Sequence, residues 1–96
     1  MDLKNNKYDE FFNPPKTYTD PETGISINLV NYFKQLKYYM LSRTATWILY
    51  HTNNMHDIYR CKTIEKEIAD MITNATTVKE VNDINIFKIF EDEGLL

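Results

Sequence analysis

Apolar side chains recur every three or four residues through two long stretches of the chain, which is the spacing of an amphipathic helix. The first stretch begins after Ser26, a residue suited to capping a helix N-terminus, and continues to about His51. The second follows Asn54, another candidate N-cap with Asp57 in the first turn, and ends near Asn74. The pattern therefore predicts two long helices joined by a short loop.

Each predicted helix has a stripe of side chains that would face the core. In the first helix the stripe is Leu29, Phe33, Leu36, Met40 and Trp47. Two flanking rows are also apolar or aromatic: one is Val30, Leu41 and Ile48, and the other is Tyr32, Tyr39 and Tyr50. In the second helix it is Ile58, Cys61, Ile64, Ile68, Met71 and Ile72. The first helix also has a neutral sector where an exposed face would normally carry Lys and Glu. This predicts a central helix, or one whose second face is covered by a partner.

The C-terminal third predicts shorter elements. Thr77 and Glu80 have the spacing of a capping box and begin a third helix. Its apolar side chains are Val78, Val81 and Ile84. Residues 86–90, with the sequence Ile-Phe-Lys-Ile-Phe, fit either a last helix or a strand. We favour a helix, because Phe87 and Phe90 would then share a face with Ile84.

Residues 1–24 lack a helical pattern. Three prolines interrupt any helix here, and residues 20–24, with the sequence Asp-Pro-Glu-Thr-Gly, are typical of a tight turn. The segment nevertheless carries four aromatic side chains, at Tyr8, Phe11, Phe12 and Tyr18. Because such side chains are costly to leave in water, we expect them to dock on the chain's own helices or on a neighbour; a disordered tail is the third alternative.

The predicted fold class is therefore all-α. It consists of a small bundle of three to four helices, residues 25–96, with an extended aromatic N-terminal arm, residues 1–24. Ninety-six residues suffice for one domain with a modest core, so association with another molecule would add stability.

The single cysteine, Cys61, excludes an internal disulfide. The N-terminal residues have no apolar run typical of a secretory signal. The most apolar stretch, residues 38–50, contains Arg43 and is shorter than the roughly 20 residues that a membrane-spanning helix needs. These features predict a cytoplasmic protein, or a virion component if the source is viral, with no membrane partner.

Chemistry-bearing residues do not form a recognisable catalytic or metal-binding pattern. His56 and Cys61 are five residues apart and would point to different sides of a helix, and Cys61 belongs to the apolar stripe. Zinc-ligand spacings are missing, and with only Gly24 and Gly94 the chain cannot form a glycine-rich phosphate loop. We therefore predict a non-enzymatic protein with no cofactor and no metal, in which Cys61 is a core residue.

Charge is unevenly distributed along the chain. Residues 34–66 carry six basic and two acidic residues, whereas residues 67–96 carry two basic and seven acidic ones. The basic middle could pack against the acidic end within one molecule or between molecules, or it could meet an acidic partner. Binding of nucleic acid by the basic residues and interleaved tyrosines is less favoured, since the isoelectric point is about 5.3.

The function predicted from these features is protein–protein interaction or assembly. We expect a self or heterologous protein partner, and a homo-oligomer or a place in a larger assembly. The expected contact residues are Tyr8, Phe11, Phe12, Tyr18, Asn31, Gln35, Tyr38, Ser42 and Leu49. Ile, Asn and Lys supply 29 of the 96 residues, a bias of AT-rich genomes, which favours a small virion or phage structural or accessory protein. The alternative is a small regulator or inhibitor that binds a host protein or nucleic acid.

Overall fold

The computed structural model describes residues 16–96. Its elements are β1 Thr17–Thr19, β2 Ser26–Asn28, α1 Leu29–Tyr50, α2 Met55–Asn74, α3 Val78–Asp83 and α4 Ile86–Asp92. This part of the chain is mostly helical, with a small two-stranded sheet, so the all-α class is confirmed in broad terms. Tyr8, Phe11 and Phe12 lie outside the described residues.

The segment before α1 is a β-hairpin. β1 and β2 pair antiparallel, with Tyr18 opposite Ile27. The turn between them is confirmed: the amide of Gly24 donates to the carbonyl of Asp20 at 2.8 Å, and Gly24 has a φ of 72° that favours glycine. The predicted boundary between residues 24 and 25 lies inside this hairpin.

Ser26 does not cap α1, so this prediction was wrong. Its hydroxyl instead bonds to the hydroxyl of Thr19 across the hairpin at 2.9 Å. The helix begins two residues later, where the side chain of Asn28 accepts a hydrogen bond from the amide of Asn31 at 3.1 Å. Pairing with β1 holds residues 26–28 in extended conformation, and a tertiary constraint of this kind overrides the local capping preference.

The core-facing side of α1 differs from the predicted stripe. Its buried side chains are Val30, Leu41, Thr44, Ala45 and Ile48. Leu36 and Trp47 are 44% and 54% exposed, so their assignment to the core was wrong. The small side chain of Ala45 allows α2 to approach closely, and the sulfur of Cys61 lies 3.9 Å from the Ala45 carbonyl oxygen. Close packing therefore selects the side with small residues over the side with the largest ones.

The predicted course of α2 is largely confirmed. Asn54 is its N-cap, and its side chain accepts a hydrogen bond from the amide of His56 at 2.9 Å. The side chains of Cys61, Ile64, Ile68 and Ile72 are buried, as the apolar spacing predicts. Met71 is half-exposed at the edge of the stripe and was wrongly assigned to the core.

Capping residues define the last two helices. Thr77 accepts from the amide of Glu80 at 3.0 Å, and the Glu80 carboxylate accepts from the amide of Thr76 at 2.8 Å, which confirms the capping box with its return bond shifted by one residue. The helical alternative for residues 86–90 is also confirmed. A new N-cap at Asn85 separates the two helices and changes their phase. Consequently Phe90 is buried, whereas Phe87 is half-exposed and does not share its face.

The long helix α1 is the spine of the fold, because it packs against α2, α3 and α4. The main core lies between α1, α2 and α4 and includes Ile48, Ile68 and Phe90. A smaller cluster closes the other end of α1, where Val30 packs with Ala75, Val78 and Val81. With its inner side covered in this way, α1 presents its other side to solvent.

Candidate protein-binding surface

The outer side of α1 carries a continuous row of exposed large side chains, which we call the aromatic face. It consists of Tyr32, Leu36, Tyr39, Arg43, Trp47 and Tyr50. Members follow one another every three or four residues, so they lie along one side of the helix. Its five apolar and aromatic members are between 44% and 85% exposed. A row of this length on the surface of a small domain is a candidate binding site.

Arg43 is the charged member of the aromatic face. Its guanidinium carbon lies 5.8 Å from the centre of the Tyr39 ring, within the range of a cation–π contact. No acidic residue occurs between Leu29 and Tyr50, so α1 itself supplies no carboxylate to neutralise this cation. The face is therefore apolar with one positive charge near its middle.

The two lysines of α1 lie on the inner side of the helix, away from the aromatic face. Lys34 donates to the carbonyl of Thr73 at 2.8 Å, and Lys37 donates to the carbonyl of Ile84 at 2.6 Å. These carbonyls lie at the C-terminal ends of α2 and α3, where a cation compensates the helix dipole. Partial burial lowers the pKa of Lys37, and the nearby Asp83 carboxylate opposes this shift. Both lysines therefore serve the fold.

Trp47 lines a concave region on this side of the molecule. Its ring stacks on the imidazole of His51 with 4.1 Å between ring centres. Beside it is a groove of about 420 Å³, which we call the Trp47 groove. Its lining residues are Arg43, Thr44, Trp47, Phe87 and Leu96. The aromatic face thus widens, at its C-terminal end, into a shallow apolar depression beside a guanidinium.

The structure separates the six expected contact residues within residues 16–96 into two groups. Tyr18, Asn31, Gln35 and Ser42 are exposed. Tyr38 and Leu49 are half-buried against the main core, and the Tyr38 hydroxyl lies 2.6 Å from that of Thr73 on α2. The expected residues of α1 therefore follow the strip between the core and the aromatic face. Their role in binding stays a prediction.

The sequence pattern did not predict the residues of the Trp47 groove, and it assigned Trp47 and Leu36 to the core. The row formed by Tyr32, Tyr39 and Tyr50 was visible in the periodicity, with Arg43 on the same side of the helix. The signal that identifies this row as the outer one is the pair Thr44 and Ala45 on the opposite side, since small residues mark the closest helix contact.

Several basic residues outside α1 are paired with carboxylates of the same molecule. Arg60 on α2 lies 3.6 Å from Asp57 and 3.5 Å from Glu93, and it also donates to the carbonyl of Glu93. Lys88 bonds Asp92 at 3.0 Å within α4. Arg60 thus joins the basic middle of the chain to its acidic C-terminal part within one molecule, one of the three arrangements that the charge pattern predicted.

Cys61 is the one thiol of the chain. Cys61 is fully buried, and burial, followed by the nearby Glu65 carboxylate, raises the pKa of its thiol. No group of three or more His, Cys, Asp or Glu side chains within residues 16–96 is placed to hold a metal ion. None of the helices described between these residues has the length and apolar character to cross a membrane.

Comparisons with protein-family models, with curated proteins and with solved structures gave no match to this chain. The surface chemistry of α1 is therefore the basis for a functional proposal.

Proposed function

We propose that this chain is a non-enzymatic protein–protein interaction module that functions in assembly, and that the aromatic face of α1 is its binding surface. The observation that carries this proposal is the continuity of the row from Tyr32 to Tyr50. Single exposed apolar residues are ordinary on protein surfaces, whereas contiguous patches mark sites of interaction.

The exposed area supports the same proposal. A Tyr or Trp side chain has about 150–250 Å² to bury, so the exposed fractions of the four aromatic members leave roughly 400–600 Å² accessible. The largest patch on a typical monomer is about 300–600 Å², and Leu36, Phe87 and Leu96 extend this one further. Leaving such an area in water favours association.

The composition of the face favours a protein partner over nucleic acid. Tyr, Trp and Arg are the residues that dominate binding energy at protein interfaces. Nucleic-acid binding needs several cations on one surface to neutralise phosphates. Lys34, Lys37 and Arg60, half of the basic residues between 34 and 66, donate to carbonyls of this same chain, and Arg43 is the charged member of the face. Compositional bias toward AT-rich codons supports a small structural or accessory protein of a virion or phage as the setting.

Trp47 provides a direct test, because it is the only tryptophan of the chain. Acrylamide quenching of its fluorescence should be strong in dilute protein, where the ring is half-exposed, and should weaken when a partner covers the aromatic face. Quenching that stays constant from dilute to concentrated protein would exclude shielding by a second copy.

A matched pair of variants extends the test to heterologous partners. Trp47→Ser removes the largest side chain of the aromatic face, whereas Tyr59→Ser removes an exposed side chain on the far side of α2, half a turn from the buried Ile68. Proteins bound by the wild type should be retained by Tyr59→Ser and lost by Trp47→Ser. Equal retention by both variants would refute the assignment of the surface.

A further inference from the structure

We infer that the occupant of the aromatic face is a second copy of this chain, whose α1 packs antiparallel against the first in a twofold-symmetric dimer. This inference rests on the proposed function and names the partner of that surface. It follows from the spacing, the charge and the area of the exposed row.

The spacing of the row is the same in both directions. Along its centre are Tyr32, Leu36, Tyr39, Arg43, Thr46 and Tyr50, which follow each other at intervals of 4, 3, 4, 3 and 4 residues. Alternating intervals of three and four residues form the seam by which two helices pack side by side. All six side chains are exposed, and Trp47 flanks the row beside Thr46. An interface that a twofold axis relates to itself requires such a self-complementary order.

Antiparallel packing about an axis at the level of residue 41 brings complementary residues together. Tyr32 of one copy then faces Tyr50 of the other, and Tyr39 faces Arg43. Each guanidinium would lie over a tyrosine ring of the other copy, the contact that Arg43 already makes with Tyr39 in its own chain at 5.8 Å. Parallel packing would instead place Arg43 against Arg43 in a dry seam, where like charges repel. Charge therefore selects the antiparallel arrangement.

The accessible area is close to what a dimer needs. A stable interface of standard size buries about 800 Å² on each partner. The four aromatic side chains supply roughly 400–600 Å² per copy, and the exposed parts of Leu36 and of the Trp47 groove add to this. The polar rim would come from the exposed strip of Asn31, Gln35 and Ser42 beside the face.

Disulfide trapping tests the geometry. Tyr32 and Tyr50 are half-exposed and strongly exposed, so Tyr32→Cys and Tyr50→Cys leave the core intact. A disulfide requires Cβ atoms about 3.5–4.5 Å apart, so only residues that face each other can form one. In the antiparallel dimer the two copies of residue 32 are about 27 Å apart, at a rise of 1.5 Å per residue. Each variant alone should therefore stay uncrosslinked under mild oxidation, and their mixture should form a mixed covalent dimer.

Two controls make the outcome decisive. The wild type, whose Cys61 is buried, should not crosslink, and Tyr32→Cys mixed with Tyr59→Cys should not crosslink either, because residue 59 lies off the face. Crosslinking of either single variant with itself would overturn the antiparallel arrangement in favour of a parallel one. A monomeric mass at high micromolar concentration, with no mixed disulfide, would overturn the dimer itself. In that last case, loss of a bound heterologous protein by Trp47→Ser would show that the proposed function stands without this inference.

Discussion

Ile48 and Trp47 are adjacent in sequence, but Ile48 lies on the buried side of α1 and Trp47 on its exposed side. Ile48 is 3% exposed inside the main core, whereas Trp47 is 54% exposed on the aromatic face. By size and hydrophobicity alone, Trp47 would be the more important core residue. Replacing each with alanine therefore tests which side of α1 the protein buries.

The structure predicts unequal losses of stability. Ile48→Ala removes a buried side chain and leaves a cavity, which costs about 2–5 kcal/mol. Trp47→Ala removes a half-buried side chain, whose burial stabilises the fold by roughly 1 kcal/mol. The higher helix propensity of alanine offsets part of that loss. A chain of 96 residues has a total stability of about 5–14 kcal/mol, so the first loss is a large fraction and the second a small one.

Urea denaturation followed by far-ultraviolet circular dichroism gives the free energy of unfolding of each variant. The measurement should be made at the lowest practicable protein concentration, where association cannot contribute to stability. Ile48→Ala should lower the free energy of unfolding by at least 1 kcal/mol more than Trp47→Ala. A loss for Trp47→Ala equal to or larger than that for Ile48→Ala would refute the orientation of α1, and with it the aromatic face.

Three further predictions concern individual contacts. The raised pKa of Cys61 means that the fold favours the neutral thiol. This stabilisation is complete below the ordinary thiol pKa of 9.0 and is lost as the pH rises through the folded-state value. In alkaline titrations, the free energy of unfolding of Cys61→Ala should therefore decline less steeply than that of the wild type. Thr77→Ala should cost about 1 kcal/mol in chemical denaturation, because it removes the N-cap of α3. Lys37→Met should cost about 1–2 kcal/mol, because it leaves the carbonyl of Ile84 without its charged donor. Lys79→Met is the control: it breaks an exposed ion pair with Asp83 and should change stability by less than about 0.5 kcal/mol.

The starts of α2 and α3 could be predicted from the sequence, because in each a single side chain caps the helix N-terminus. The caps at Asn54 and Thr77 are confirmed because each accepts a hydrogen bond from an amide two or three residues ahead, an interaction that needs no tertiary partner. The apolar stripe of α2 was also readable, since its opposite side is charged, and Cys61 and Ile68 are buried as expected.

The buried side of α1, the hairpin and the Trp47 groove depend on tertiary packing, so the local sequence pattern did not predict them. α1 has apolar side chains on several sides, so periodicity alone could not choose between Ile48 and Trp47 as the buried residue. The hairpin was missed because its strands are three residues long and the two are separated by a turn, so Ser26 resembled a helix cap. The Trp47 groove combines residues from α1, α4 and the C-terminus, and no local pattern brings Phe87 and Leu96 together with Trp47.

Self-association through the aromatic face is tested most directly by the mass of the protein in solution. Sedimentation of the wild type should show a shift from monomer to dimer as concentration rises. Leu36→Glu places a carboxylate within the aromatic face and should remain monomeric, whereas Tyr59→Glu, on the far side of α2, should dimerise like the wild type. If the wild type and both variants share one concentration-dependent mass, the aromatic face is not the surface through which copies of this chain associate.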